Sequence, residues 1–168
     1  MNNVTTINIL RFVTLVLVQI LVLNHINFLG YLNPYLYILF IILFPVKNSR
    51  TLFILFSFLL GLTIDLFSDS GGVHAAACVT IAYIRPVVLK FSFGMVYEHQ
   101  AVKFNNVEFD AKLTYISILT FIHHIVLFSL EIFNFSKIIL TFQKTLFTSL
   151  FTIILCVLVT TIFRKNSK

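Results

Sequence analysis

The sequence is short of charge, because only 11% of its 168 residues are Asp, Glu, Lys or Arg, whereas a soluble domain carries about a quarter. Hydrophobic residues make up 59% of the chain, and the mean hydropathy is +1.00. A soluble fold has too small an interior to bury so much apolar side chain. The composition therefore predicts an integral membrane protein with little polar chain left for a soluble domain.

Cysteine and clustered charge are also scarce. Cys78 and Cys156 are the two cysteines, and both lie inside apolar runs, where a cysteine is typically a small buried side chain. We therefore expect no disulfide and no cysteine metal site. The net charge of +6 is spread between the apolar runs, without a basic domain. Nucleic acid is accordingly not an expected partner, whereas membrane lipids are.

Catalytic motifs are missing as well. The sequence has no nucleophile motif, phosphate-binding loop, HExxH or pair of catalytic carboxylates. His74 and Cys78 are four residues apart and share a helical face, but the pattern lacks the Cys and His pairs of zinc sites. We therefore expect no enzyme activity, no metal and no cofactor.

Six apolar runs follow one another along the chain. A helix needs roughly 20 residues to cross about 30 Å of hydrocarbon, so six crossings use most of the sequence. We therefore predict an all-α integral membrane protein with a single transmembrane domain over residues 1–168. Its six spans lie at approximately 7–23, 29–46, 51–67, 73–89, 113–133 and 142–163.

The second run is the least regular, because Pro34 and Pro45 bracket only ten uninterrupted residues, or about 15 Å of helix. A half-membrane or tilted element is the alternative to a span. With six spans, ten basic residues lie on one side and two, Lys137 and Lys144, on the other; with five spans the division is nine to three. The positive-inside rule favours six spans, with both chain ends in the cytoplasm.

The same rule places the longest loop, residues 91–112, in the cytoplasm. Its acidic and basic residues alternate with apolar ones. We expect this loop to lie on the membrane surface or to form a short amphipathic element.

Small or polar residues recur every four positions on the third and fourth runs, and this spacing lets two helix backbones approach closely. The third run has Ser57, Gly61 and Asp65, and the fourth has Gly72, Ala76 and Thr80. We expect the two helices to form a tight hairpin. Helix packing alone is a sufficient explanation for these stripes, and contact with a partner protein is the alternative.

Asp65 needs a compensating partner, because a carboxylate near the hydrocarbon boundary costs a few kcal/mol unless it is paired or hydrated. His74 is the nearer candidate, since Arg85 lies about 17 Å further along the fourth helix. We expect Asp69 to be a turn residue or to cap the amino terminus of that helix, with Ser70 as the competing cap.

Three further ionisable residues lie in the fifth run. His123 and His124 fall near its middle, and Glu131 follows seven residues after His124 on roughly the same face. Hydrogen bonding to a neighbouring helix and a proton relay are both open interpretations. We expect Arg85, just before Pro86, to extend along the helix to the cytoplasmic surface without needing a ligand.

The segment Gly61–Pro86, which reads GLTIDLFSDSGGVHAAACVTIAYIRP, resembles the signature of the rod shape-determining protein MreD family. In that pattern a Gly is followed four residues later by an Asp and then by a turn with Gly, His and Ala. The matching positions are Gly61, Asp65, Gly72, His74 and Ala75. The pair His123 and His124 is similar to one branch of the family. The resemblance is specific over these 26 residues and architectural elsewhere.

The resemblance implies a non-catalytic component of the bacterial cell-elongation machinery in the cytoplasmic (inner) membrane. Such a protein associates with MreC and, through it, with MreB, a RodA-type glycosyltransferase and its transpeptidase, and takes part in cell shape and lateral peptidoglycan synthesis. The implied fold is similar to that of the S-component, the substrate-binding subunit of energy-coupling-factor vitamin transporters.

A small-molecule transporter subunit of this kind is the alternative function. Such subunits usually present an Ala-x-x-x-Ala face on the first helix to their coupling partner. Residues 3–28 of this chain contain no Ala and no Gly, which argues against transport.

Overall fold

The structure is a computed structural model that describes residues 3–27, 32–46, 49–94, 108–133 and 137–163. Within these residues the regular elements are helices. Short 3-10 turns lie at Leu23–His25 and Leu36–Ile38. The α-helices are α1 (Asn3–Leu21), α2 (Leu39–Leu43), α3 (Arg50–Ser68), α4 (Val73–Phe93), α5 (Phe109–Ile132) and α6 (Ile138–Ile162).

Five of these helices are long and apolar enough to cross a membrane. The candidate spans are Thr6–His25, Arg50–Ser68, Val73–Phe93, Phe109–Ile132 and Ile138–Ile162. Large apolar side chains are exposed along them, as expected of surfaces that face lipid. The predicted all-helical, multi-pass architecture is confirmed.

The second apolar run does not form a sixth helix that is long enough to cross a membrane. Its helical part is a 3-10 turn of three residues followed by the five residues of α2, together about 12 Å long. Tyr37, Ile38, Ile41 and Ile42 are fully buried in this part. Phe44 is extended at φ −62° and ψ 138°, because a residue before proline avoids the helical region. The expected continuous helix over residues 29–46 is therefore wrong at residues 32–46, where only Leu36–Leu43 is helical.

Residues 32–46, the broken segment, nevertheless lead the chain from one end of the bundle to the other. Arg11 of α1 contacts the carbonyl oxygen of Leu43 at 3.1 Å. In the 3-10 turn that follows α1, Asn24 contacts Ser68 at the end of α3, with 3.1 Å between Nδ2 and Oγ. Helices α1 and α3 therefore begin at the same end of the bundle and run parallel, so the segment between them makes the return crossing.

The two ends of the bundle differ in charge. The arginine end is the end where Arg11, Phe44, Arg85 and Tyr115 meet; the hairpin end is that of Ser68 and the turn at residues 69–72. Because α5 begins at the arginine end and α6 runs antiparallel to it, α6 ends there too. The described basic residues near the arginine end are Arg11, Arg50, Arg85, Lys90 and Lys112, and those near the hairpin end are Lys137 and Lys144.

Helices α3 and α4 form the tight hairpin that the small residues predict. A Cβ atom built on Gly61 would lie 2.5 Å from the Cα atom of Ala75 and 2.5 Å from the carbonyl oxygen of His74. The face of α4 in this contact was wrongly predicted, because Ala75 is buried there whereas Ala76 is exposed. The crossing point at Ala75 turns Ala76 outward, and the Thr80 hydroxyl donates to the Ala76 carbonyl of its own helix.

The predicted surface element of the longest loop falls mainly on residues 95–107, which lie outside the described residues. Helix α4 continues to Phe93, and α5 begins at Phe109. The flanking parts of the predicted loop are therefore helical.

Candidate functional site

Asp65 lies at the end of α3 and caps the start of α4. Its Oδ1 atom accepts hydrogen bonds from the Ser70 hydroxyl at 2.6 Å and the His74 N–H at 3.0 Å, and its Oδ2 atom accepts one from the Ala75 N–H at 2.8 Å. The partner is thus the backbone of His74 and not its imidazole. Because the amino terminus of a helix favours negative charge, α4 compensates the buried carboxylate.

Asp69 is a turn residue, as one alternative predicted, and capping of α4 by Asp69 or Ser70 is wrong. Asp69 adopts a left-handed conformation, with φ 49°, and ends α3. Gly72 occupies the N-cap position of α4 with φ 95° and has no side chain to offer. Asp65 supplies the capping acceptor from the preceding helix, because the tight contact at Gly61 brings its carboxylate against the first turn of α4.

The broken segment leaves backbone groups that membrane lipid cannot satisfy. Gln19 of α1 serves two of them, since its Nε2 atom donates to the Pro34 carbonyl at 3.0 Å and its Oε1 atom accepts from the Leu36 N–H at 2.9 Å. The Thr152 hydroxyl of α6 accepts from the Tyr35 N–H at 3.1 Å. Side chains from the first and last helices therefore hold the start of this segment.

Two arginines hold its other end. Arg85 donates from Nη2 to the carbonyl oxygens of Ile42, at 3.2 Å, and Phe44, and from Nε to the Tyr115 hydroxyl, at 2.7 Å. Arg11 donates to the Leu43 carbonyl. Positive charge at the carboxyl end of α2 complements the helix dipole.

Arg85 does not extend to the surface as expected. Its side chain is only 3% exposed, because three acceptors hold it inside the bundle. Its guanidinium also lies 4.9 Å from the centre of the Phe53 ring, a distance at which cation and ring attract.

His123 and His124, two of the predicted intramembrane residues, belong to a buried cluster of imidazole and phenol groups. The Tyr37 hydroxyl lies 2.7 Å from His74 Nδ1 and 3.0 Å from His123 Nε2. The Tyr37 and His123 side chains are fully buried. This bridge joins α4 and α5 through the broken segment.

His124 takes part through different partners. Its Nδ1 atom lies 2.7 Å from the Thr120 carbonyl of its own helix, and its Nε2 atom lies 3.3 Å from the Thr152 hydroxyl. The Tyr35 ring covers the cluster, with its centre 5.4 Å from that of His124 and 6.2 Å from that of Phe128. The histidines are thus enclosed by aromatic rings and hydroxyl groups.

Glu131 is placed apart from this cluster. Its side chain is 42% exposed and forms an ion pair with Lys144 of α6, with 3.2 Å between Nζ and Oε1. The face that Glu131 was expected to share with His124 does not bring the two side chains into contact. Among the described residues, no group of three His, Cys, Asp or Glu side chains is arranged to hold a metal ion.

Several central residues of this network were not singled out from the sequence. They are Gln19, Tyr37, Tyr115 and Thr152. Gln19 carried a usable signal, because a lone amide in an otherwise apolar run needs a partner inside the membrane. The tyrosines and Thr152 carried none, since such residues are ordinary in apolar helices.

Fold and site together define the class of this protein, which is a multi-pass helical membrane protein whose interior side chains hold a broken helix. No family model matches the chain, and no curated protein or solved structure matches it. A proposal for its function must therefore rest on the residues themselves.

Proposed function

We propose that this protein is a non-catalytic component of the bacterial cell-elongation complex in the cytoplasmic membrane. It would act in cell shape and lateral peptidoglycan synthesis by associating with MreC and, through it, with MreB, a RodA-type glycosyltransferase and its transpeptidase. The proposal rests on the resemblance of Gly61–Pro86 to the MreD signature. The observation that supports it best is that the matching residues serve one structural contact between α3 and α4.

The geometry of Asp65 favours a scaffolding role. Both carboxylate oxygens are occupied by donors from Ser70, His74 and Ala75. A general acid or base needs a position from which it can reach a reacting group. The carboxylate is instead committed to holding the hairpin together.

The outward side of the hairpin is where we place partner contact. Ala76 is exposed on α4, and a small side chain there lets another membrane helix approach the backbone closely. Leu66 and Phe67 near the end of α3 are also exposed, and they add apolar area beside it.

We place the arginine end in the cytoplasm, because the described basic residues concentrate there. Glu108 and Lys137 are exposed residues near opposite ends of the bundle. In a variant without Cys78 and Cys156, a cysteine at position 137 should react with an impermeant thiol reagent in intact cells, and one at position 108 only after lysis. The reverse pattern would overturn the orientation.

The functional test is depletion of the protein followed by microscopy and wall analysis. Rounded or swollen cells, together with recovery of MreC and the synthase pair from detergent-solubilised membranes, are the expected results. Normal rods with none of these proteins recovered would refute the proposal.

A substrate-binding subunit of a vitamin transporter is the second candidate. One observation favours it, namely the broken segment beside the Tyr and His cluster, since discontinuous helices often line the binding sites of membrane transporters. The absence of Ala and Gly from residues 3–28 opposes it. Native mass spectrometry showing a tightly retained vitamin, or an auxotrophy after deletion, would establish this candidate over the first.

A further inference from the structure

Three buried polar atoms near the histidine cluster have no hydrogen-bond partner among the described residues. They are His123 Nδ1, Thr120 Oγ1 and Ser149 Oγ. Thr120 and His123 are one turn apart on α5, and Ser149 is one turn from Thr152, which contacts His124 across the α5–α6 interface. Two of the unpartnered atoms therefore lie one turn apart on α5, and the third lies on α6 one turn from a residue that contacts α5.

The chemistry of the Tyr37 bridge limits what can stand beside His123. The phenol has one proton but lies between two imidazole nitrogens, so it donates to one and accepts from the other. If His74 donates to Tyr37, His123 carries its proton on Nδ1, which then needs an acceptor. If His123 donates from Nε2, its Nδ1 atom is bare and needs a donor.

The partner of Nδ1 is therefore an acceptor in the first case and a donor in the second, and a molecule that can do both fits either case. It must also be neutral and small, because the His123 side chain is fully buried and an isolated charge there would be costly. Water meets each condition, and buried waters typically bond to polar groups that are otherwise unsatisfied. A metal ion fits poorly, because the described residues offer no group of three His, Cys, Asp or Glu side chains that could hold one.

We propose that an ordered water molecule is bound at His123 Nδ1, within the buried cluster of Tyr37 and the histidines. This water completes a chain of hydrogen bonds that runs from His74 through Tyr37 to His123. The unpartnered hydroxyl groups of Thr120, on α5, and Ser149, on α6, are available to hydrogen-bond with buried water. The site is independent of the proposed role in cell elongation, because it follows from hydrogen bonding alone.

The unmodified protein offers its own controls for a test. His124 has a protein partner on each ring nitrogen, whereas His25 is exposed near the end of α1. Protein with ¹⁵N-labelled histidine, reconstituted in lipid nanodiscs, would be examined by water-edited NMR, with signals assigned through single His→Gln variants. Nitrogen shifts report which ring atom carries the proton.

We expect His123 to show a water cross-peak like that of His25, and we expect His124 to show none. A His123 ring without a water contact, in a sample where His25 shows one, would overturn the proposal. Equal cross-peaks at His123 and His124 would also overturn it, because they would indicate general water penetration and not a bound molecule.

Discussion

Asp65 and Arg85 are both charged residues buried within one bundle, yet they are stabilised at opposite ends of helices. The carboxylate of Asp65 meets the N–H groups at the amino terminus of α4. The guanidinium of Arg85 meets carbonyl oxygens at the carboxyl terminus of α2. In each case the charge lies where the helix dipole and the free backbone groups have the opposite sign.

The two sites differ in what depends on them. Asp65 holds together two helices that are already long enough to form in a membrane. Arg85 holds a short element whose last carbonyls, within the described part of the chain, otherwise accept side-chain hydrogen bonds from Arg11 and Tyr115 alone. The arginine site should therefore be the more sensitive of the two to substitution.

The largest effect is expected for Arg85→Leu. This change removes the Arg85 donor from the Phe44 carbonyl, whereas the Ile42 carbonyl keeps the Tyr115 hydroxyl, and an unsatisfied buried group costs about 1–3 kcal/mol. Because hydrogen bonds from a charged group are lost as well, we expect stability to fall by about 3 kcal/mol, seen as poor accumulation in the membrane and a lower Tm in detergent. Arg50→Leu is the matched control, since Arg50 is exposed and its contact with the Tyr83 carbonyl is longer, at 3.4 Å. Similar losses of stability in both variants would show that Arg85 has no special role.

Gly61→Ala tests the contact that brings Asp65 to α4. The added methyl group would meet backbone atoms of His74 and Ala75, which cannot rotate away as a side chain can. We expect the hairpin to open at a cost of about 1–3 kcal/mol. Thermal unfolding in detergent measures the cost. A Tm equal to that of the unsubstituted protein would show that the two backbones separate freely.

Asp65→Asn and Asp65→Leu separate charge from hydrogen bonding. The amide keeps one acceptor oxygen, so we expect Asn to lose about 1 kcal/mol and to retain shape function and partner association. Leu keeps no acceptor and should lose both properties. The measurements are membrane accumulation, cell morphology and co-purification of MreC.

If Asn is as defective as Leu while both proteins accumulate normally, the negative charge itself is required. Full function of Asp65→Leu would instead leave packing as the role of this stretch.

The smallest effect on stability is expected for Ala76→Leu, because Ala76 is exposed on α4. Unfolding should change by less than about 0.5 kcal/mol. Partner association should fall if another helix packs on this face, since a larger side chain keeps backbones apart. Unchanged co-purification of MreC would exclude Ala76 from the contact.

Local signals were sufficient for the helices and for the hairpin. Apolar runs of about 20 residues predicted the five long helices, and the Gly61 and Asp65 spacing predicted close packing of α3 on α4. The prolines at positions 34 and 45 already indicated that the second run was irregular. These features depend on residues close together in the chain, so they can be read without the fold.

The partners of the buried polar residues depended on the tertiary structure. Arg85 meets Phe44, and Gln19 meets Leu36, through contacts between distant parts of the chain. The choice between Ala75 and Ala76 depended on where α3 crosses α4, which a four-residue spacing does not specify.

By itself, the sequence determined that this protein is a bundle of apolar helices with its basic residues mostly toward one end. The hydropathy of a segment decides whether it enters the membrane, and the basic residues beside it decide which side they face. Both properties can therefore be read from each segment separately. Only the folded chain decided that the second segment is a short buried helix and that Gln19, Arg85 and Thr152 hold it. A backbone broken inside a membrane must find hydrogen-bond partners wherever the fold brings them, and those partners lie far away in sequence.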